Sequence, residues 1–253
     1  MSPNKDTTPD ELRRRLDELK LPFMRDHVEE LLRQAATAQW PLAQFLSRLL
    51  EGEAALRQDH ARARRIKDAG FPVLKTLEQF DFTWPTKINR PAVQNLFRLR
   101  FIHDKACAIL VGGVGLGKSH LAVALGHAAC EAGFRVRFTT AVGMVNALSA
   151  AHNAGRFATE IKKYTRPQLL VVDELGHLPI DKHGAELLFQ VFGERYERGA
   201  VIVTTNKAFK HWPAIFNNDT ALTSALLDRV LHHSETIVIE GKSYRMKDRI
   251  EPC

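Results

Sequence analysis

Apolar positions recur at helical spacing through the first 70 residues, then gather into short continuous runs after residue 105. Leu12, Leu16 and Leu19 mark a first helix, and Val28, Leu31, Leu32 and Ala35 a second. Leu42, Phe45, Leu46, Leu49 and Leu50 mark a third. Thr8-Pro9-Asp10-Glu11 supplies a start: a capping hydroxyl, proline at the first helical position and acids in the first turn. Leu21-Pro22 interrupts, and Trp40-Pro41 opens the third helix. Ala69-Gly70-Phe71-Pro72 ends it with a glycine stop and a proline beyond.

Residues 71–104 read as an ordered connector, with Phe80-Asp81-Phe82, Trp84-Pro85 and a short amphipathic helix over Asn95–Arg100. Five strand candidates follow: Ala106–Val111, Arg135–Thr139, Leu169–Asp173, Ala200–Thr205 and Thr236–Ile239. Helical patterns such as Ala185–Tyr196 lie between them. Apolar strands alternating with helices predict an α/β fold, its parallel five-stranded sheet covered on both faces. The expected division is a helical N-terminal domain at 1–70, the connector at 71–104 and the α/β core at 105–253.

Composition narrows the class. With 253 residues and 45% hydrophobic content, the chain can bury a sizeable core. No run of 18 apolar residues occurs, so no membrane span is expected. Met1-Ser2-Pro3-Asn4-Lys5-Asp6 is polar and lacks the apolar stretch of a signal peptide. Cys107, Cys130 and Cys253 have no metal-ligand spacing, which predicts a reducing cytoplasm and no disulfide framework. The net charge of +7 favours an acidic partner, nucleic acid first, although charge alone does not decide it. The basic run Arg57, Arg62, Arg64, Arg65 and Lys67 is a candidate for phosphate contact or a solvated helix face.

The chemistry concentrates in four segments. Gly112-Gly113-Val114-Gly115-Leu116-Gly117-Lys118-Ser119 fits G-x-x-x-x-G-K-[ST] between a strand and a helix that begins near His120. Its glycines let backbone N–H groups close on a polyphosphate at a helix N-terminus. Lys118 is placed to reach the β- and γ-phosphates, and Ser119 to ligate magnesium. Asp173-Glu174 ends a buried strand 55 residues after Lys118. There Asp173 suits the magnesium shell, and Glu174 suits polarising a water, which favours hydrolysis over transfer. At the end of Val203-Thr204-Thr205-Asn206, Asn206 is the first candidate and Thr205 the second to contact the γ-phosphate or water, against a plain turn-forming role. Arg229, beside Asp228, is either a stabiliser of phosphoryl charge or half of a surface ion pair. His232-His233 reads as surface, because the sequence suggests no third metal ligand.

Together these residues resemble the IstB-like family, ATP-binding helper proteins of bacterial insertion sequences and relatives of replicative helicase loaders among the AAA+ ATPases. Val114–Ala122, Val172-Asp173-Glu174-Leu175-Gly176, Gly184–Val191, Val203–Asn206 and Ala225–Arg229 carry the resemblance. It implies a P-loop AAA+ core, with ATP and Mg2+ held at Gly112–His120 and Asp173. It also implies ATP-dependent self-assembly on double-stranded DNA and stimulation of the transposase of the same insertion sequence. Under it Asn206 becomes a γ-phosphate sensor. Arg229 becomes an arginine finger for a neighbour's ATP, so the sites form at subunit interfaces of a homo-oligomer. Pro213 departs from the glycine expected after Trp212. Only 24 residues follow Arg229, too few for a helical lid, so the nucleotide is expected to be held openly. Two other readings share the P-loop. One is a replicative helicase loader; the other is a small-molecule kinase, which Glu174 and the short C-terminal stretch disfavour.

Overall fold

Three apolar clusters organise the chain, one in the unit up to Arg64 and two in the unit from Arg65 onward. The computed structural model describes residues 9–249, so Thr8, the Met1–Asp6 segment and Cys253 lie outside the described residues.

The N-terminal helices are α1 (Pro9–Glu18), α2 (Pro22–Thr37) and α3 (Leu42–Ala69). Met24, Val28 and Leu49 form their core, with Leu12, Leu16, Leu21, Leu31 and Phe45 packed around it. Leu21 cannot cap α2 with its side chain. Buried Glu53 does so instead, accepting from the Phe23 and Met24 N–H groups at 3.0 and 3.3 Å. The predicted apolar face of α3 is only partly used. Leu42, Leu46 and Leu50 are 86%, 54% and 53% exposed, because so few elements in this unit can cover the stripe. Gly70, at φ +74°, ends α3 as the sequence predicts.

The second unit runs β1 (Lys87–Ile88), α4 (Arg90–Leu96), α5 (Arg100–His103), β2 (Cys107–Gly112), α6 (Lys118–Glu131), β3 (Val136–Thr140) and α7 (Ala141–Asn153). It continues with α8 (Phe157–Glu160), α9 (Lys162–Thr165), β4 (Leu169–Leu175), α10 (Lys182–Arg195), β5 (Ala200–Thr205), α11 (Thr220–His232) and β6 (Ser234–Glu240). The sheet order is β1-β6-β2-β5-β4-β3. Five strands are parallel, as predicted; β1 adds a sixth, antiparallel to β6 through Lys87–Glu240 and Ile88–Ile239. A two-residue strand has no periodicity for sequence reading to detect. The expected helix over Asn95–Arg100 is instead a break between α4 and α5, with Leu99 left-handed at φ +59°.

Strand alternation sorts the core onto two faces. Ala108 and Leu110 point toward α6, packing with Leu121 and Leu125; Ile109 points to the opposite face with Met144, Leu148, Leu188 and Leu226. Each fully buried leucine contributes about 1.5–3 kcal/mol relative to exposure. Leu77, Phe80, Phe82 and Ile88 of the connector pack into the first of these faces. The strands β2, β4 and β5 therefore end together at one edge, where ligands gather in sheets of this kind.

Candidate nucleotide site

At that edge β2 gives way to a loop that turns at Gly115 and Gly117, both left-handed at φ +76° and +85°. Both positions are also crowded. A Cβ on Gly115 would lie 2.1 Å from the Ser243 hydroxyl, and one on Gly117 would lie 2.5 Å from the Phe80 ring. Glycine is required twice over, by backbone conformation and by space. Leu116 anchors the loop in the core, whereas Val114 points to solvent. Lys118 closes the loop by donating from Nζ to the Gly113 carbonyl at 2.6 Å. Partial burial pulls the Lys118 pKa down; Asp173 and Glu174 oppose the shift, and Arg245 adds to it.

Ser119 meets the acidic strand end, its hydroxyl donating to Asp173 Oδ1 at 2.9 Å. The register between β4 and β5 slips here: Val172 pairs with Val203, but Leu175 pairs with Thr205. Asp173 and Glu174 thus share one opposing residue, Thr204, in a β-bulge that re-aims their side chains. Glu174 takes the left-handed conformation, φ +60°, and stands exposed while Asp173 stays buried. The Thr204 hydroxyl donates to Asp173 Oδ1 at 2.5 Å and accepts from the Glu174 N–H at 2.9 Å. Thr205 is buried, and its hydroxyl accepts from the Lys207 N–H, so it is spent on the turn. Asn206 is exposed where β5 ends.

A cavity of 520 Å³ opens beside the loop, lined by Gly115–His120, by Phe80, Trp84 and Pro85 of the connector, and by Tyr244 and Arg245. The sequence predicts no helical lid after the last strand, which leaves this side open. In the structure the chain beyond β6 returns to it. The Tyr244 N–H donates to the Gly115 carbonyl at 2.9 Å. Trp84 Nε1 donates to the Lys242 carbonyl at 2.9 Å, with its ring edge-on to Tyr244. His120 lines the cavity but places Nε2 2.9 Å from the Thr76 carbonyl, pinning the connector. Thr204, Trp84 and Arg245 were missed by sequence reading, since no local pattern announces them.

Arg229 does not join this group within one chain. Its guanidinium lies 4.4 Å from the centre of the Phe189 ring. With Cys107, Val201 and His233 it lines a small cavity at the starting ends of β2, β5 and β6. The phosphate loop leaves the far end of β2, and a six-residue strand spans about 20 Å.

A P-loop on a five-strand parallel sheet, with an acid at the end of β4 and a polar residue at the end of β5, defines an AAA+ nucleotide-binding core. Residues 14–252 match the model of the IstB-like ATP binding protein family. The chain belongs to that family. A Pseudomonas aeruginosa relative, described as an ATP-binding protein of insertion sequence IS21, is 39% identical over 92% of this chain and 88% of its own. Among solved structures, the DnaC helicase loader aligns with TM-score 0.53 at 22% identity, over 65% of this chain and 96% of that one. AMPPCP-bound DnaA from Aquifex aeolicus aligns with TM-score 0.55 at 19% identity, over 72% of this chain and 56% of that one. At such identity these two establish the shared fold.

Proposed function

We propose that this ATP-binding chain is an ATPase that self-assembles on double-stranded DNA, stimulates the transposase of the same insertion sequence, and is reset by hydrolysis. The observation that carries the reading is the separation of Ser119–Asp173 from Arg229 at opposite edges of one sheet. A site so divided suits completion by a second copy.

Within the site, backbone N–H groups of Gly113–Ser119 and the N-terminus of α6 hold the phosphates. Lys118 and Arg245 supply two cations at the cavity. Ser119 and Asp173 offer hard oxygen atoms 2.9 Å apart, a donor set that fits Mg2+ and would hold it. When bound, that ion neutralises β- and γ-phosphate oxygens. Glu174 takes a proton from water as its oxygen attacks the γ-phosphorus and the bond to ADP breaks. Asn206 contacts the attacked phosphoryl group, and a neighbour's Arg229 stabilises its charge. Apolar and aromatic walls at Phe80, Trp84 and Pro85 suit the base.

The chain's basic balance supports the DNA partner. The Arg57–Lys67 run is partly committed, however: Arg57 pairs with Glu53, Arg62 with Asp59, and Arg65 donates to the Cys130 carbonyl. The domain roles proposed are DNA or partner contact for residues 1–70 and catalysis for 105–253, in the cytoplasm. No helix among the described residues is long and apolar enough to cross a membrane.

Mass measurement with a non-hydrolysable ATP analogue, with and without duplex DNA, tests the assembly. Large species that need both are expected; a monomer under every condition would sink the reading. Retention of a hexameric helicase, with no binding to the transposase, would replace it with the loader.

A further inference from the structure

The sequence offers His232-His233 as an isolated pair, and the fold supplies a third ligand. Glu197, His232 and His233 each present a ligand atom, and all three atoms lie within 4.8 Å of one another on the exposed surface. Neighbouring residues on a helix do not share a face. Here α11 ends at His232, and His233 leaves helical geometry at φ −126°, ψ 82°. Its ring comes back to 4.1 Å from that of His232. Glu197 reaches the pair from the turn after α10, in a left-handed conformation at φ +58°.

Both segments are tied to the sheet. The His233 carbonyl accepts from the Cys107 N–H, at the start of β2, at 2.7 Å. Arg195 is buried, and its guanidinium donates to the carbonyls of Tyr164, Pro167, Gln168 and Ala200, fixing the turn that carries Tyr196 and Glu197. The Tyr196 hydroxyl lies 2.9 Å from His232 Nδ1. With Nδ1–H donating to that oxygen, the Nε2 lone pair is left for a metal, as partners of ligating histidines usually arrange.

We propose that Glu197, His232 and His233 bind a zinc-class divalent transition metal, with a fourth position open to water or a partner's side chain. Two imidazoles and one carboxylate are the donor set such ions take, and Mg2+ and Ca2+ do not. Metal–ligand bonds of about 2.0–2.2 Å place tetrahedral ligands roughly 3.4 Å apart, against ligand atoms that here lie within 4.8 Å of one another. Glu197 and His233 line the same small cavity as Arg229, but metal uptake without nucleotide does not require the role proposed for Arg229.

The full-length chain, without nucleotide, is titrated with Co2+ for its visible absorption and dialysed against Zn2+. One equivalent per chain is expected. Glu197→Gln and His233→Ala, both at exposed positions, should each weaken uptake at least tenfold. Tyr196→Phe should weaken it about tenfold by freeing His232 and the Glu197 carboxylate, both hydrogen-bonded to that hydroxyl, and Lys118→Ala should leave it unchanged. Absence of uptake, or uptake that Glu197→Gln and His233→Ala leave intact, would overturn the proposal, the latter by showing an adventitious ion elsewhere.

Discussion

Thr204 holds Asp173 from across the bulge: its hydroxyl donates to the Asp173 carboxylate while the Glu174 N–H donates to that same hydroxyl. One side chain on β5 thus fixes the two acids of β4 relative to each other. Thr204→Val keeps the volume and removes both bonds. It should cost about 1–3 kcal/mol of stability, since the Glu174 N–H loses its acceptor and buried Asp173 keeps only the Ser119 hydroxyl as a donor. Turnover should drop with little change in ATP affinity. Denaturant unfolding and steady-state kinetics check both, and unchanged turnover would free Glu174 from Thr204's control.

Glu174→Gln keeps the size of the side chain and removes its basicity. Loss of a general base costs about 10²- to 10⁴-fold in rate. ATP should still bind, and the protein should persist as an assembly on DNA. Phosphate release and mass measurement read the two effects separately.

Burial lowers the Lys118 pKa, and the charge of Arg245 lowers it further. The charged amine is the form that attracts phosphate, so kcat/KM should fall as pH rises through that pKa, starting below the usual lysine value of about 10.4. Arg245→Ala should move this alkaline limb upward, because it removes a repelling charge. Lys118→Arg should abolish the limb, since guanidinium stays charged. A pH profile indifferent to both changes would contradict the assignment.

Arg245 lines the cavity beside the glycine-rich loop together with Lys118. Charge-assisted hydrogen bonds contribute about 1.5–3 kcal/mol, so Arg245→Ala should weaken ATP binding by roughly tenfold or more. AMP, lacking the outer phosphates, should lose far less. Titration of a fluorescent ATP analogue decides it; equal losses for ATP and AMP would point to a collapsed pocket.

Arg229→Ala should be nearly inactive alone, as should Glu174→Gln. Mixed, the two should recover part of the turnover, because one chain supplies the arginine and the other the base. A mixture no faster than its components would argue against action between chains.

The core strands were legible because they are continuous buried apolar runs, and Ala200–Thr205 was read to the residue. The phosphate loop and Asp173 were legible because their chemistry demands fixed residue types at short spacing. Their meeting at 2.9 Å follows from parallel strands ending at one edge. What sequence missed depends on distant segments. Arg245 reaches the loop only because the chain doubles back after β6, and Glu197 joins His232 only because the turn after α10 lies beside the end of α11. The start of α4 was readable in principle, since Asn89 caps it, accepting from the Ala92 N–H, ahead of Pro91. The Leu42–Leu46–Leu50 stripe shows a different limit: its helical period was legible, but the period alone does not say that these three side chains stay exposed.

The phosphate loop and Arg229 lie on opposite edges, and under the proposed action of Arg229 on a neighbour's ATP each copy carries a donor end and an acceptor end. Copies joined through them stack head to tail, a heterologous contact that closes into a ring or grows as a filament. A ring has no idle site. An open filament always has one, at the end whose ATP meets no arginine, so its turnover per chain climbs toward a plateau as it lengthens. Under this arrangement, hydrolysis rate reports the length of the assembly.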